Sequence, residues 1–105
     1  MDIAIFIAYT PLNKRIRLTK ERLTHIIGVH PIMKGLTENI KTALTSPEMI
    51  KRSVHDPNVW LYYISYGEVK GRYLIIVVKI TNGEGFVVTG YIADRIKTGG
   101  NIWPK

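Results

Sequence analysis

The chain has no cysteine, which removes a disulfide framework, thiolate zinc sites and cysteine nucleophiles together. Long apolar runs are also missing: the opening stretch Ile3 to Ala8 falls far short of the roughly 20 residues of a membrane span. That stretch follows Asp2 with no basic segment before it, so a cytoplasmic protein without signal peptide or membrane contact is expected. Acid is scarce, with 8 Asp+Glu scattered along the chain, which argues against the clustered carboxylates of a two-metal nuclease. No phosphate loop, GxGxxG, HExxH or GxSxG pattern occurs, and neither a metal nor a cofactor is expected.

What remains is an ordinary folded composition, 46% hydrophobic and 22% charged over 105 residues, read as one domain spanning 1–105. Against the few acids stand 15 Lys+Arg, a net charge of +7. A small domain this basic suits a polyanion, nucleic acid first.

Residues 2–9 predict a short strand ended by Thr10-Pro11. A basic connector, Asn13 to Arg17, follows and reads either as a solvated loop or as a phosphate-facing arm. Thr19 then caps a helix whose Leu23, Ile26 and Ile27 share a face and which ends at His30-Pro31. A second helix carries Leu36, Ile40, Ala43 and Leu44 at helical spacing. Ser46, Pro47 and Glu48 predict the start of a third, ending around Arg52–Val54 before the turn His55 to Asn58.

From Val59 the period becomes strand-like, in runs 59–66, 72–80 and 85–93 joined by short loops. Short loops make antiparallel hairpins, so the fold class is α+β: short N-terminal helices followed by an antiparallel meander, with an extra N-terminal strand. Leu74, Ile76, Val78 and Ile80 form one apolar face, and Trp60, Tyr62 and Ile64 are expected beside them against the helices. Placing Phe86, Val88, Gly90 and Ile92 on that side requires Ile80 to pair with Phe86 across a three-residue loop, Asn82 to Glu84. A two-residue Asn82-Gly83 turn would set Lys79 beside Phe86 and mix the faces. The preferred register gathers Lys79, Thr89, Tyr91, Tyr63, Ser65 and Tyr73 on the opposite face, either as chemistry or as the wet side of a half-buried sheet.

A basic scaffold bearing His, Lys, Arg, Tyr and Thr has the composition of a metal-independent ribonuclease. Such an enzyme needs a base for the 2′-hydroxyl, an acid for the departing 5′-oxygen, and cations for the charge on phosphorus. Of the three histidines, His25 lies about 200° round the helix from Leu23 and is free to face solvent or a cleft. His30 falls near the apolar stripe, as a packed or capping side chain, and His55 sits in a turn before Pro57 as a solvated loop residue. Trp103 either locks the tail onto the core or stacks a base.

The succession Leu18 to Arg22, His25-Ile26, His30-Pro31, Leu61 to Tyr63, Leu74 to Lys79, Phe86 to Tyr91 and Ile96-Lys97 through Trp103 resembles the phage-associated barnase/EndoU/colicin/RelE-like (BECR-fold) nuclease domains. The resemblance covers roughly residues 17–103. It implies a helices-then-sheet fold and an endoribonuclease, toxin-like or phage-associated, with RNA as substrate and a cognate antitoxin or immunity protein as possible partner. It matches His25 to the helix histidine, Lys79 to the strand lysine, and Thr89 and Tyr91 to the Thr-x-Tyr strand. Two positions depart from the pattern: Ile32 stands where an acidic residue follows His-Pro, and Gly90 where alanine is usual. The expected catalytic set is therefore His25, Arg52, Lys79, Thr89 and Tyr91, with Arg22, His30, Tyr63 and Lys97 holding RNA. The competing expectation is a non-catalytic basic module that binds RNA or protein.

Overall fold

Ten elements follow one another in the computed structural model, which describes residues 3–68, 70–97 and 99–104. Strands β1 (Ala4–Tyr9) and β2 (Arg15–Thr19) precede helix α1 (Lys20–Val29), a 3-10 turn (Pro31–Met33) and helix α2 (Thr37–Thr45). Strands β3 (Met49–Ser53), β4 (Val59–Ser65), β5 (Tyr73–Thr81), β6 (Glu84–Ala93) and β7 (Gly99–Trp103) complete the chain. All seven strands form one mixed sheet in the order β1-β2-β6-β5-β4-β3-β7. The architecture is α+β, and no helix among the described residues is long and apolar enough to cross a membrane.

Helix α1 starts on a side-chain cap and ends on a backbone hydrogen bond. The Thr19 hydroxyl accepts from the Arg22 N–H at 3.2 Å, and the His30 N–H closes α1 on the Ile26 carbonyl at 2.7 Å. Ile26 on α1, Met33 on the 3-10 turn, and Ile40, Ala43 and Leu44 on α2 are fully buried against the sheet. There they meet Tyr62, Leu74, Ile76, Val78 and Ile80, the face expected to receive them. Each large aliphatic side chain in this layer contributes about 1.5–3 kcal/mol on burial.

Three expectations are corrected. The basic connector is loop only at Asn13 and Lys14: Arg15 to Thr19 form β2, antiparallel to β1 and parallel to β6. Its Ile16 and Leu18 are fully buried, so alternation of cation and aliphatic residue anchors one face and leaves Arg15 and Arg17 on the other. The third helix is also absent, and Met49 to Ser53 pair with β4 and β7 instead. The Glu48 N–H donates to the Tyr63 carbonyl at 2.8 Å, and the Glu48 carboxylate accepts from the Ser65 N–H and hydroxyl, a cross-strand tie where a helix cap was expected.

The third correction is register. Thr81 pairs with Glu84 and Lys79 with Phe86 across a two-residue Asn82-Gly83 turn, both of whose residues have positive φ, 53° and 85°. A bulge then restores the burial pattern, because Val78 pairs with Val87 but Val77 with Thr89, leaving Val88 as the additional residue. Before the bulge Val87 is buried in the core and Phe86 is exposed; beyond it Gly90 lies inward and Thr89 and Tyr91 outward. The Tyr66 N–H donates to the Arg72 carbonyl at 2.8 Å and closes the preceding hairpin. The tail adds β7 to the sheet, with Ile102 in the core and Trp103 packed against it.

Candidate functional site

The sheet face turned away from the helices carries a small apolar cluster of its own. Leu61, Tyr63 and Ile75 are buried there, with Tyr73, Val77, Tyr91 and Ala93 packed around them. The segment after β6 folds back over this cluster: the Lys97 N–H donates to the Tyr63 phenol oxygen at 3.1 Å. Burial raises the Tyr63 hydroxyl above the ordinary tyrosine value, partly opposed by the Lys97 hydrogen bond. The Tyr73 ring meets Tyr63 edge-on, with centroids 6.0 Å apart.

Beside this tie lies a pocket of about 260 Å³ whose lining includes Thr89, Tyr91, Lys97, Ser53 and His55. The Lys97 Nζ stands 5.4 Å from the centre of the Tyr91 ring. The His30 ring approaches the same tyrosine at 6.0 Å between centroids and a tilt of 36°. Only Glu84 to Phe86 of β6 pair with β2, so beyond the bulge α1 and its terminal His30 pack against β6. The Tyr91 hydroxyl is buried and has no hydrogen-bond partner among the described residues. Buried polar groups are nearly always paired, so an orphan one marks a place to look for chemistry.

Thr89, Tyr91, Lys97, Tyr63 and His30 thus come together, drawn from β6, β4, the end of α1 and the segment before β7. Lys79 shares their face, but its Nζ lies 2.5 Å from Asp56 Oδ2. That hydrogen bond holds the Asp56 carboxyl below its ordinary value, helped by the Asn58 N–H donated to Oδ1 at 2.9 Å. His25 is exposed on α1 and lines a separate depression with Thr19, Glu21 and Arg22. Arg52 alternates with outward Lys51 on β3 and turns to the helix side, where it lines a hollow with Lys14, Asn58 and Trp60.

His55 was read as a solvated turn residue, and it is exposed, yet it borders the pocket. No local sequence signal marks it, because its neighbours Thr89 and Tyr91 lie more than thirty residues downstream. Among the described residues, no three His, Asp or Glu side chains stand close enough to hold a metal ion. Comparison with known protein families, curated proteins and solved structures gave no match.

Proposed function

We propose that this chain is a metal-independent endoribonuclease and that the Tyr91 pocket is where it cleaves. The observation that carries the reading is the buried, unpartnered hydroxyl of Tyr91, a residue that lines one pocket with Thr89, His55 and Lys97. In the proposed reaction an imidazole, that of His55, takes the proton from a ribose 2′-hydroxyl. The freed oxygen attacks the adjacent phosphorus, forming a 2′,3′-cyclic phosphate, and the bond to the 5′-oxygen breaks. Tyr91 gives its proton to that leaving oxygen, while Lys97 and the Thr89 hydroxyl meet the charge gathering on the non-bridging oxygens. Lys79 adds positive potential from the same face, and His30 and Tyr63 position Tyr91 and Lys97. His25, Arg22 and Arg52 lie in other depressions and are assigned to RNA contacts outside the reacting group.

The order of two helices followed by the β4–β5–β6 meander supports grouping the chain with BECR-type nuclease folds, as does the succession of residues from Leu18 to Trp103. A toxin-like or phage-associated role in the cytoplasm, restrained by an antitoxin or immunity protein, goes with that reading. The test is cleavage of a defined RNA in EDTA, followed by analysis of the ends. Cleavage leaving 2′,3′-cyclic phosphate, lost in Tyr91→Phe and His55→Ala, is the expected result. RNA left intact from pH 5 to 8, or cleaved only with a divalent metal, overturns the mechanism.

A second reading rests on a specific observation: the five residues expected to catalyse divide among three places, with His25 and Arg52 apart from Thr89 and Tyr91. That division favours a module that binds RNA without turnover, and the same cleavage assay separates the two.

A further inference from the structure

The other half of the outward face, built by β1, β2 and the start of β6, carries a different set of side chains. Register puts Ile7, Arg17, Phe86 and Lys79 in one row across four strands, and Tyr9, Arg15 and Glu84 in the next. Their neighbours Ala8, Ile16, Leu18 and Val87 are 0–1% exposed in the core, so the intervening side chains point outward. Tyr9 is 67% exposed and Phe86 41%. Both flank arginines: Arg15 pairs with Glu84 at 2.8 Å, and Arg17 has no ion pair among the described residues.

We propose that this face is a track for single-stranded RNA, on which Phe86 and Tyr9 stack unpaired bases while Arg17 and Arg15 meet phosphates. Neighbouring strands lie about 4.8 Å apart, so aromatics two strands distant stand on the order of 10 Å from each other, room for bases to splay between them. An aromatic face is sequence-tolerant and open only to unstacked bases, whereas a duplex hides its base faces. Charge complementarity favours a polyanion: Arg15, Arg17 and Lys79 stand among the aromatics on a chain of net charge +7. The Asn82-Gly83 turn and the bulge at Val88 turn Phe86 outward beside Arg17. The track shares its ligand class with the ribonuclease reading and deepens it to single strands, but it needs no bond cleavage.

The experiment uses an uncleavable 2′-O-methyl 12-mer and the intact protein, with binding followed by fluorescence anisotropy. Phe86→Ala and Tyr9→Ala should each weaken binding about five- to hundredfold, and Phe86→Tyr, which keeps a stacking ring, should retain wild-type affinity. Arg17→Ala should reduce the slope of log affinity against log salt by about 0.7. A duplex of the same sequence should bind more weakly than the single strand. Unchanged affinity in both alanine variants overturns the track, as does equal binding of duplex and single strand. Self-association abolished by Phe86→Ala, with RNA affinity intact, also overturns it and assigns the face to protein contact. Tight aromatic-dependent binding with no cleavage of ordinary RNA supports the track and ends the nuclease reading; cleavage indifferent to Phe86 and Tyr9 does the reverse.

Discussion

Lys79 and Asp56 form an ion pair at 2.5 Å on the outward sheet face, joining the middle strand to the turn before β4. The pair partly neutralises a cation that the ribonuclease reading assigns to RNA. Asp56→Asn keeps an oxygen for the Asn58 N–H and removes the charge. RNA affinity should rise, and the salt dependence should steepen by about 0.7 per added phosphate contact. Anisotropy titrations between low and moderate salt read both. The pair's contribution to stability is complete above the ordinary aspartate value of 3.8 and is lost as pH falls through the lowered folded value.

Tyr91→Phe separates function from folding. Removing a buried hydroxyl that has no partner costs no internal hydrogen bond, so stability should hold or rise by up to about 1 kcal/mol. Cleavage should fall by about 10²–10⁴, the range for loss of a general acid. Urea denaturation and single-turnover cleavage measure the two effects on one preparation. A variant both destabilised and fully active would remove Tyr91 from the mechanism.

Alkaline unfolding should report Tyr62. Its hydroxyl lies in the core 3.2 Å from the Thr10 hydroxyl, and burial pushes its pKa up to about 12. The folded state therefore favours the protonated phenol: its contribution is whole below the ordinary value of 10.0 and declines as pH rises toward 12. Tyr62→Phe should flatten this decline in thermal melts recorded across the same pH range.

Gly85 tests the close approach of β6 to β5 and β2. A Cβ built there would stand 2.5 Å from the Lys79 carbonyl oxygen and 3.0 Å from Ile16 Cδ1. Since the first obstacle is backbone, Gly85→Ala should destabilise by about 1–3 kcal/mol, seen as a lower urea midpoint at unchanged slope.

Much of the framework was legible from residue pattern. Thr19 caps α1, Ile40, Ala43 and Leu44 line the inner face of α2, and the three C-terminal runs form the meander with Tyr62 and Leu74 toward the helices. The β3 segment was not, because Ser46-Pro47-Glu48 carries helix-start chemistry that the fold spends on Tyr63 and Ser65 across the strand pair. In β2 the alternation of Arg15, Ile16, Arg17 and Leu18 was visible but overshadowed by its charge. The bulge at Val88 defeats any register argument that assumes an unbroken period of two. Lys79, Thr89 and Tyr91 do share one face, but through the bulge and not through the register expected to place them there, and parity says nothing of which loop or helix end comes to meet them. His55 and Lys97 arrive there through tertiary folding.

The parallel pairing of β2 with β6 also sets an order of assembly. Arg15 to Arg17 find their partners Glu84 to Phe86 only after almost all of the intervening chain exists. At synthesis rates of 5–20 residues per second, the interval from residue 19 to residue 86 lasts roughly 3–13 s. Throughout it β2 has only β1 and the helices α1 and α2 beside it, and the sheet edge later filled by β6 stays open. The β1–β2 hairpin can close early, but a chain interrupted before Phe86 would leave the second edge of β2 unpaired and open to mispairing.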